Sequence, residues 1–415
     1  MTRGVPTGLS PAAELYTWGF PLLSVQRTRL QLSSRHPSGQ MHHVENLATP
    51  KDRAIVAPNN DTLYSSGWYD LRYGDLVINV PPMDKPSRYW NVMVVDAYTH
   101  VSYVPRRHHG TDGVQVRVTF DAGPKHKNEP EDRGATTVKV ATPTAWVIVR
   151  VLVESADDLQ IARELQRAIT VEAPAAHPHT KTKRGGRATE IAQAGAAFVE
   201  ELKRFVDRDP PAAWHPHLSP AAQAILEDPT CVSPDELEAG VREAEKLIKA
   251  GNSADSLIQH GWSTGQGAGG PGNDILKRAI GARFGLGGHY AIENRSYIAV
   301  KDSDGSSLDG NNTLMLHFAA GDIPPCDGFW SLTAYGMNLY LVDNELDRWS
   351  ISDRTPGLGY GEDGSLTIQL SAQRPAALSN WLPVPAGPYM LGMRVYEGHE
   401  AVVDCIWFPP ILTRV

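Results

Sequence analysis

The chain has 415 residues, too many for one ordinary hydrophobic core and enough for two or three packed units. Its content of 41% hydrophobic and 21% charged residues is that of a folded globular protein and excludes global disorder. The formal net charge of −8 excludes a general attraction to nucleic acid or to anionic membranes, so neither is an expected partner.

Residues 12–32 are predicted to be helical. Leu15, Trp18, Leu22, Leu23 and Val25 fall at helical spacing, and Gly19 and Pro21 are expected to interrupt or kink the segment. From about residue 54 the period changes to two. Leu76–Val80 and Trp90–Asp96 read as strands, and Val114–Phe120 places Val114, Val116, Val118 and Phe120 on one face. The run Ala145–Val153 reads as a strand buried on both faces. Pro81-Pro82, Gly110, Gly113 and Gly123-Pro124 supply the turns between these runs.

The middle of the chain changes again. Helices are predicted over 156–171, 188–206 and 234–250, with short ones over 254–260 and 274–283. The third has the plainest signals. Ser233 is a natural N-cap, Pro234 suits the first helical position and Glu236 completes a capping box. Leu237, Val241, Ala244, Leu247 and Ile248 form its apolar stripe, and Gly251 is expected to close it. Strands return over Thr313–Phe318, Phe329–Tyr335, Leu366–Leu370 and Tyr389–Tyr396. The expected fold is therefore mainly β with a helical middle segment (α+β), built as two β-sandwich or jelly-roll-like domains. The expected division is 1–154, a β-rich N-terminal domain; 155–288, a helical connecting segment; and 289–415, a C-terminal sandwich.

Cys231, Cys326 and Cys405 are far apart and odd in number, which implies neither a disulfide framework nor a zinc knuckle. Each is expected to be a small buried apolar residue in a reducing compartment. The chain opens Met-Thr-Arg-Gly-Val-Pro, without an apolar signal region, and the longest apolar run is of strand length and broken by Arg150. A cytoplasmic location is expected. The basic stretch Lys181–Arg187 reads as a solvated loop.

Two sets of motifs carry a family resemblance. The first comprises Tyr16-Thr-Trp-Gly-Phe-Pro21, Pro58-Asn-Asn-Asp-Thr-Leu-Tyr64, Asp70-Leu71, Arg88-Tyr-Trp90 and Asp96-Ala-Tyr98. The second comprises Leu308-Asp-Gly310, Pro324-Pro325, Phe329-Trp-Ser-Leu-Thr333, Asp363-Gly-Ser365, Asn380-Trp-Leu-Pro383, Arg394-Val-Tyr396 and Trp407-Phe-Pro-Pro410. In this order they resemble the paired bacterial domain-of-unknown-function families 1254 and 1214. The resemblance implies two sandwich-like domains joined by a helical segment, and no settled chemistry. One departure is local: Tyr396-Glu-Gly-His-Glu400 stands where the family usually has a proline soon after the Arg-x-Tyr pair.

The candidate site residues are read from the residues themselves. Asn59, Asn60, Asp61 and Thr62 abut Leu63-Tyr64. They read either as an Asx-turn or as a cleft, with Asp61 and Tyr64 as acid/base groups and Asn59 and Asn60 as substrate contacts. Asp96 ends the apolar face of Val92 and Val94. It is taken as a catalytic carboxylate or as the ion-pair partner of Arg88, with Tyr98 nearby. In Arg106-Arg-His-His-Gly110, Arg107 is a candidate oxyanion clamp and His108 a candidate proton carrier. As neighbours on an extended strand, His108 and His109 cannot both serve one site. Arg394 and Tyr396 share a strand face with Met390 and Gly392. That face is solvent or a pocket wall, because Leu391, Met393 and Val395 must be core. Trp330, Tyr335 and Trp381 are candidate aromatic walls.

The segment Gly265-Gln-Gly-Ala-Gly-Gly270 matches a dinucleotide fingerprint in form. It follows a helix pattern rather than a strand, so it is read as a flexible loop, a candidate lid. No metal set and no cofactor motif is found. The leading expectation is an enzyme acting on a small polar metabolite by cofactor-independent acid–base chemistry: dehydration, cyclisation, isomerisation or hydrolysis, in the style of secondary metabolism. The alternatives are a non-catalytic ligand-binding or assembly protein and a metal-dependent lyase or oxygenase. The only expected partner is the small-molecule substrate, with homo-oligomerisation left open. The site is expected between the domains.

Overall fold

The structure is a computed structural model that describes residues 8–53, 56–121, 137–175, 177–179, 181, 195–254, 256–265 and 272–415. Most of the basic stretch 181–187, the proposed lid 266–271, the turn Gly123-Pro124 and residues 188–194 of a predicted helix lie outside the described residues.

The first sandwich uses β1 (His42–Val44), β2 (Thr62–Asp70), β3 (Leu76–Val80), β4 (Trp90–Asp96), β5 (Val101–Pro105), β6 (Val114–Phe120), β7 (Thr137–Val140), β8 (Thr144–Leu152) and β9 (Thr170–Glu172). One sheet has the antiparallel order β1-β2-β8-β4-β5, and the other has the order β7-β6-β3-β9. Between them lies one apolar core, including Leu63, Ile78, Val92, Val94, Val116, Val118, Val147 and Val149. The period-two pattern of β3 and β6 puts alternate residues into this core, as expected of strands with one wet face. β4 and β8 are buried along their whole length, because the second face of their sheet is covered too.

That cover has two sources. At one end it is a helical body made of α1 (Pro11–Ser33), α4 (Gly195–Arg208), α5 (Pro220–Glu227), α6 (Pro234–Ala254) and α7 (Ile275–Phe284), which share one apolar core. The short helices α2 (Arg106–His109) and α3 (Leu159–Ala168) stay with the first sandwich. The break expected in α1 does not occur: the helix runs through Pro21 because its whole middle is buried against the other helices. Gly19 serves packing there, since a Cβ would sit 2.4 Å from Leu202 of α4. The capping box of α6 forms, with the Ser233 N–H donating to Glu236 Oε2 at 2.8 Å and the Glu236 N–H to Ser233 Oγ at 3.3 Å. Gly251 does not close α6, which continues to Ala254; its missing Cβ leaves room for Ile280, whose Cδ1 lies 2.6 Å from that position.

The other cover is the second sandwich. Its strands are β10 (Ser256–Gln259), β11 (Trp262–Gly265), β12 (Asn294–Ala299), β13 (Leu314–Phe318), β14 (Cys326–Gly336), β15 (Ser350–Ser352), β16 (Leu366–Ser371), β17 (Trp381–Pro383), β18 (Tyr389–Gly398) and β19 (Leu412–Arg414), with the short helix α8 (Glu400–Val403). The sheets run β10-β11-β12-β18-β14-β15 and β17-β16-β13-β19. Their shared core includes Leu316, Trp330, Leu332, Ile368, Leu391, Met393 and Val395. The helix expected over 254–260 is instead the hairpin β10–β11. His260 (φ 54°) and Gly261 (φ 80°) form its two-residue turn, a geometry that suits a tight hairpin and not a helix. The protein is thus mainly β with a helical middle segment.

No helix among the described residues is long and apolar enough to cross a membrane. All three cysteines are free; Cys231 is exposed rather than buried, and Cys326 and Cys405 are half-buried.

Candidate functional site

The two sandwiches meet face to face at one end of the five-stranded sheet. In β2 the odd residue Leu63 enters the core, so Thr62 and Tyr64 point the other way. Register then lines up Tyr64 of β2, Arg150 of β8 and Asn91 of β4 as one row across that outer face. The facing sheet follows the same logic. Leu391, Met393 and Val395 enter the second core, so Gly392, Arg394 and Tyr396 turn toward the first sandwich. Phe329 pairs with Tyr396 and Ser331 with Arg394, which extends this second row onto β14.

The loop before β2 bridges the rows. Asn59 donates its amide to the Tyr396 hydroxyl, and Arg394 donates to the Ala57 carbonyl at 2.9 Å. Tyr335 donates to the Pro58 carbonyl at 2.9 Å and accepts from Arg394 at 2.8 Å. Asn60 reaches Ser350 Oγ at 3.4 Å. Asp61 is 3% exposed and accepts from Ser331 Oγ at 2.6 Å and from Arg354 at 2.9 Å. The Asx-turn is present as well, but it is made by Asn59, whose side-chain oxygen accepts from the Asp61 N–H at 2.6 Å.

Residues 287–293, leading into β12, close another side. Arg150 donates to the Gly287 carbonyl and to His289 Nε2, each at 2.7 Å, and its guanidinium lies 5.0 Å over the Tyr64 ring. Glu293 accepts from Asn91 at 2.6 Å and from the Tyr89 hydroxyl at 3.2 Å, and it pairs with Arg107. Glu397 accepts from Arg106 Nε at 3.0 Å and from the Arg107 N–H at 3.1 Å. These carboxylates clamp α2 of the first sandwich to the second. Tyr64, Asn59, His289 and Arg394 are each partly exposed.

Burial and neighbouring charge set the protonation states. Burial holds His289 neutral, reinforced by Arg150 and Arg107. Burial costs Arg150 and Arg394 hydration, yet their neighbours hold both protonated, Tyr64 foremost for Arg150, and Tyr335 foremost for Arg394 with Asp61 adding to it. Burial raises the Tyr396 and Tyr335 phenols, so both stay neutral. Burial also pushes Asp353 up to about 6, with Asp61 adding to the rise and Arg354 opposing it.

Of the sequence candidates, Asn59, Asn60, Asp61, Tyr64, Tyr335, Arg394 and Tyr396 meet here, with Arg107 at the edge. The others lie elsewhere. Asp96 sits at the far end of β4 from Asn91, roughly 17 Å away at 3.3 Å per residue. It organises a turn, accepting from the Tyr98 and His100 N–H groups at 2.8 Å each, and it contacts His100 Nδ1 at 2.9 Å. The expected Arg88–Asp96 pair is not formed. Arg88 is fully buried and binds Asp84 and Asp158, because it precedes β4 at the end remote from Asp96. The Tyr98 hydroxyl donates to the Asp209 carbonyl in the helical body. Trp330 points into the second core, opposite in parity to Phe329, and Trp381 donates to the Ser371 carbonyl at 3.0 Å inside that sandwich. His108 and His109 belong to the helix α2 and not to an extended strand. His109 lies 6.2 Å from the Trp90 ring, and His108 is half-buried beside it.

Arg150, Asn91, Ser331, Arg354, His289, Glu293 and Glu397 are additional members. For Arg150 the sequence holds a signal, a lone charge inside the apolar run Ala145–Val153. His289 and Glu293 lie in an aperiodic segment and have none. Among the described residues no group of three or more His, Cys, Asp or Glu side chains is placed to hold a metal ion.

Two family models match the chain. One, described as a protein of unknown function (DUF1254), matches residues 38–173, and the other, a protein of unknown function (DUF1214), matches 293–400. A search of curated proteins returns no match. Among solved structures, the VPA0106 protein from Vibrio parahaemolyticus is similar over 98% of this chain and 99% of its own, with 22% identity and a TM-score of 0.73, which shows a shared fold. An uncharacterized protein from Burkholderia cenocepacia aligns over 97% of this chain and 88% of its own, with 14% identity and a TM-score of 0.47. Matched in order and together spanning more than half of the sequence, the two models show that this chain belongs to the family that joins a DUF1254 domain to a DUF1214 domain.

Proposed function

We propose that the chain is an enzyme that carries out acid–base chemistry on a small polar metabolite in the space between the sandwiches. The observation that supports this most directly is that Tyr64, beneath the Arg150 guanidinium, and Tyr396, bonded to Asn59, come from opposite sheets into one polar interface that also holds Asp61. A phenol fixed beneath a guanidinium is a group that can take part in proton transfer, and Tyr64 lies 5.0 Å from Arg150 in this way. Asp61 is held by Ser331 and Arg354, so its part is to orient the second wall rather than to act as a free base. Dehydration, cyclisation, isomerisation and hydrolysis all need only such groups.

The test is to incubate purified protein with a metabolite extract from a strain lacking the gene and to compare masses before and after. Conversion of one compound is expected. Tyr64→Phe should then lower kcat by about 10²-fold or more with near-UV dichroism unchanged. A bound compound recovered unaltered would point to a binding protein. Normal turnover by Tyr64→Phe would remove the residue assignment.

A further inference from the structure

Three arginines at the interface have carboxylates: Arg106 has Glu397, Arg107 has Glu293 and Arg354 has Asp61. Among the described residues Arg150 and Arg394 have no carboxylate in ion-pair contact, and Asp61 acts on Arg394 only through space. Arg150 is 4% exposed, and its nitrogens meet a neutral imidazole, a backbone carbonyl and a phenol. Arg394 meets a phenol and a backbone carbonyl. A guanidinium taken out of water loses much hydration, and buried charges are normally matched by an opposite charge. Arg150 donates to His289, whose ring lies 6.1 Å from the Tyr396 ring, and Arg394 stands two residues from Tyr396 on the same face of β18, so both flank that phenol. A second, independent observation lies on the same face of β2. Thr62 is 1% exposed and its hydroxyl has no hydrogen-bond partner among the described residues, which is rare for a buried polar group.

We infer that Arg150 and Arg394 form the receptor for an oxyanion, so that the ligand of this site is a small acid carrying a carboxylate or phosphate group. The inference rests on the reading of the interdomain space as a site and names its ligand class. The guanidinium fork matches either anion with two parallel bonds, and Thr62 offers one further donor. The anion cancels the unmatched charge and leaves the phenols of Tyr64 and Tyr396 beside the rest of the molecule.

The experiment is isothermal titration calorimetry on the whole protein at fixed ionic strength. The probes are acetate, malonate, succinate and inorganic phosphate, with succinamide as the uncharged control. At least one oxyanion is expected to bind one-to-one and succinamide is not; the better class tells carboxylate from phosphate. Arg150→Met and Arg394→Met should each weaken that binding at least tenfold, while Arg242→Met, at an exposed helix position, should not change it. Arg150→Lys keeps the charge without the fork and should retain part of the affinity, which covers the case in which a Met variant fails to fold. Failure of every oxyanion to bind, or binding that survives both Met variants in folded protein, would overturn the inference. Anion binding without turnover of any compound would retain the inference and remove the catalytic reading. Turnover of an uncharged compound at normal rate in both Met variants would do the reverse.

Discussion

His215 offers a direct measurement of how the helical body responds to acid. Its ring is 3% exposed, and neither nitrogen has a hydrogen-bond partner among the described residues. The rings of Tyr98, His100, Trp18 and Trp214 surround it at 4.5, 5.6, 5.7 and 6.5 Å. Burial lowers its pKa from 6.5 to about 3; His100, Arg278 and His217 push the same way and Asp96 opposes them. The folded form therefore stays neutral where the unfolded chain is charged. Stability from this group is complete above 6.5 and is lost as pH falls toward 3, for an upper limit of about 5 kcal/mol. At pH 5 unfolding should take up about one proton at this residue. His215→Phe keeps an aromatic ring of similar size and removes the titration. The assay is calorimetric unfolding at pH 5 in buffers of different ionisation enthalpy, which counts protons without assuming a two-state transition. The variant should take up about one proton fewer than the parent and lose less stability between pH 7 and pH 4. Equal proton uptake by the two proteins would refute the reasoning.

Two further outcomes follow from charged groups. Arg88→Met strips Asp158 of its main partner in a buried setting, leaving Lys85 at 3.6 Å, and should cost about 3–5 kcal/mol in urea unfolding. A loss below about 1 kcal/mol would mean that solvent already screens the network. Asp353→Asn should act in the opposite direction. A carboxyl raised from 3.8 to about 6 contributes stability below 3.8 that disappears as pH rises through 6, so its removal should stabilise the protein at pH 7 and not at pH 4. The Asp353 side chain is 33% exposed, and screening keeps the gain to about 1 kcal/mol. An equal effect at both pH values would contradict the assigned cause.

The strands were legible wherever alternation was strict. Val116 and Val118 had to be core, and the same rule at Leu391, Met393 and Val395 turned Arg394 and Tyr396 toward another surface. That surface was not legible, because the partner of a strand face is fixed by tertiary packing. Arg88 shows this limit. Its neighbours in sequence suggested Asp96, but a strand separates its ends, and the nearest carboxylates came from Asp84 and a distant helix cap, Asp158. Length was the second limit. Over 254–260 a few residues cannot separate a helix from a hairpin, and the deciding feature was the positive φ of His260 and Gly261. The segment 287–293 has no periodicity, so His289 and Glu293 could enter the site only once it was seen folded across Arg150 and Asn91.

The clamp that Glu293 and Glu397 place on α2 also bears on how the protein is made. One wall, with Tyr64 and Arg150, is encoded early in the chain, and the other, with Arg394 and Tyr396, far later. Domains leaving a ribosome fold in that order, so the first sandwich waits with Arg150 and its polar row uncovered until the second arrives. A fragment ending before β18 would lack Arg394 and Tyr396 and leave the row of Tyr64, Arg150 and Asn91 without its facing strand.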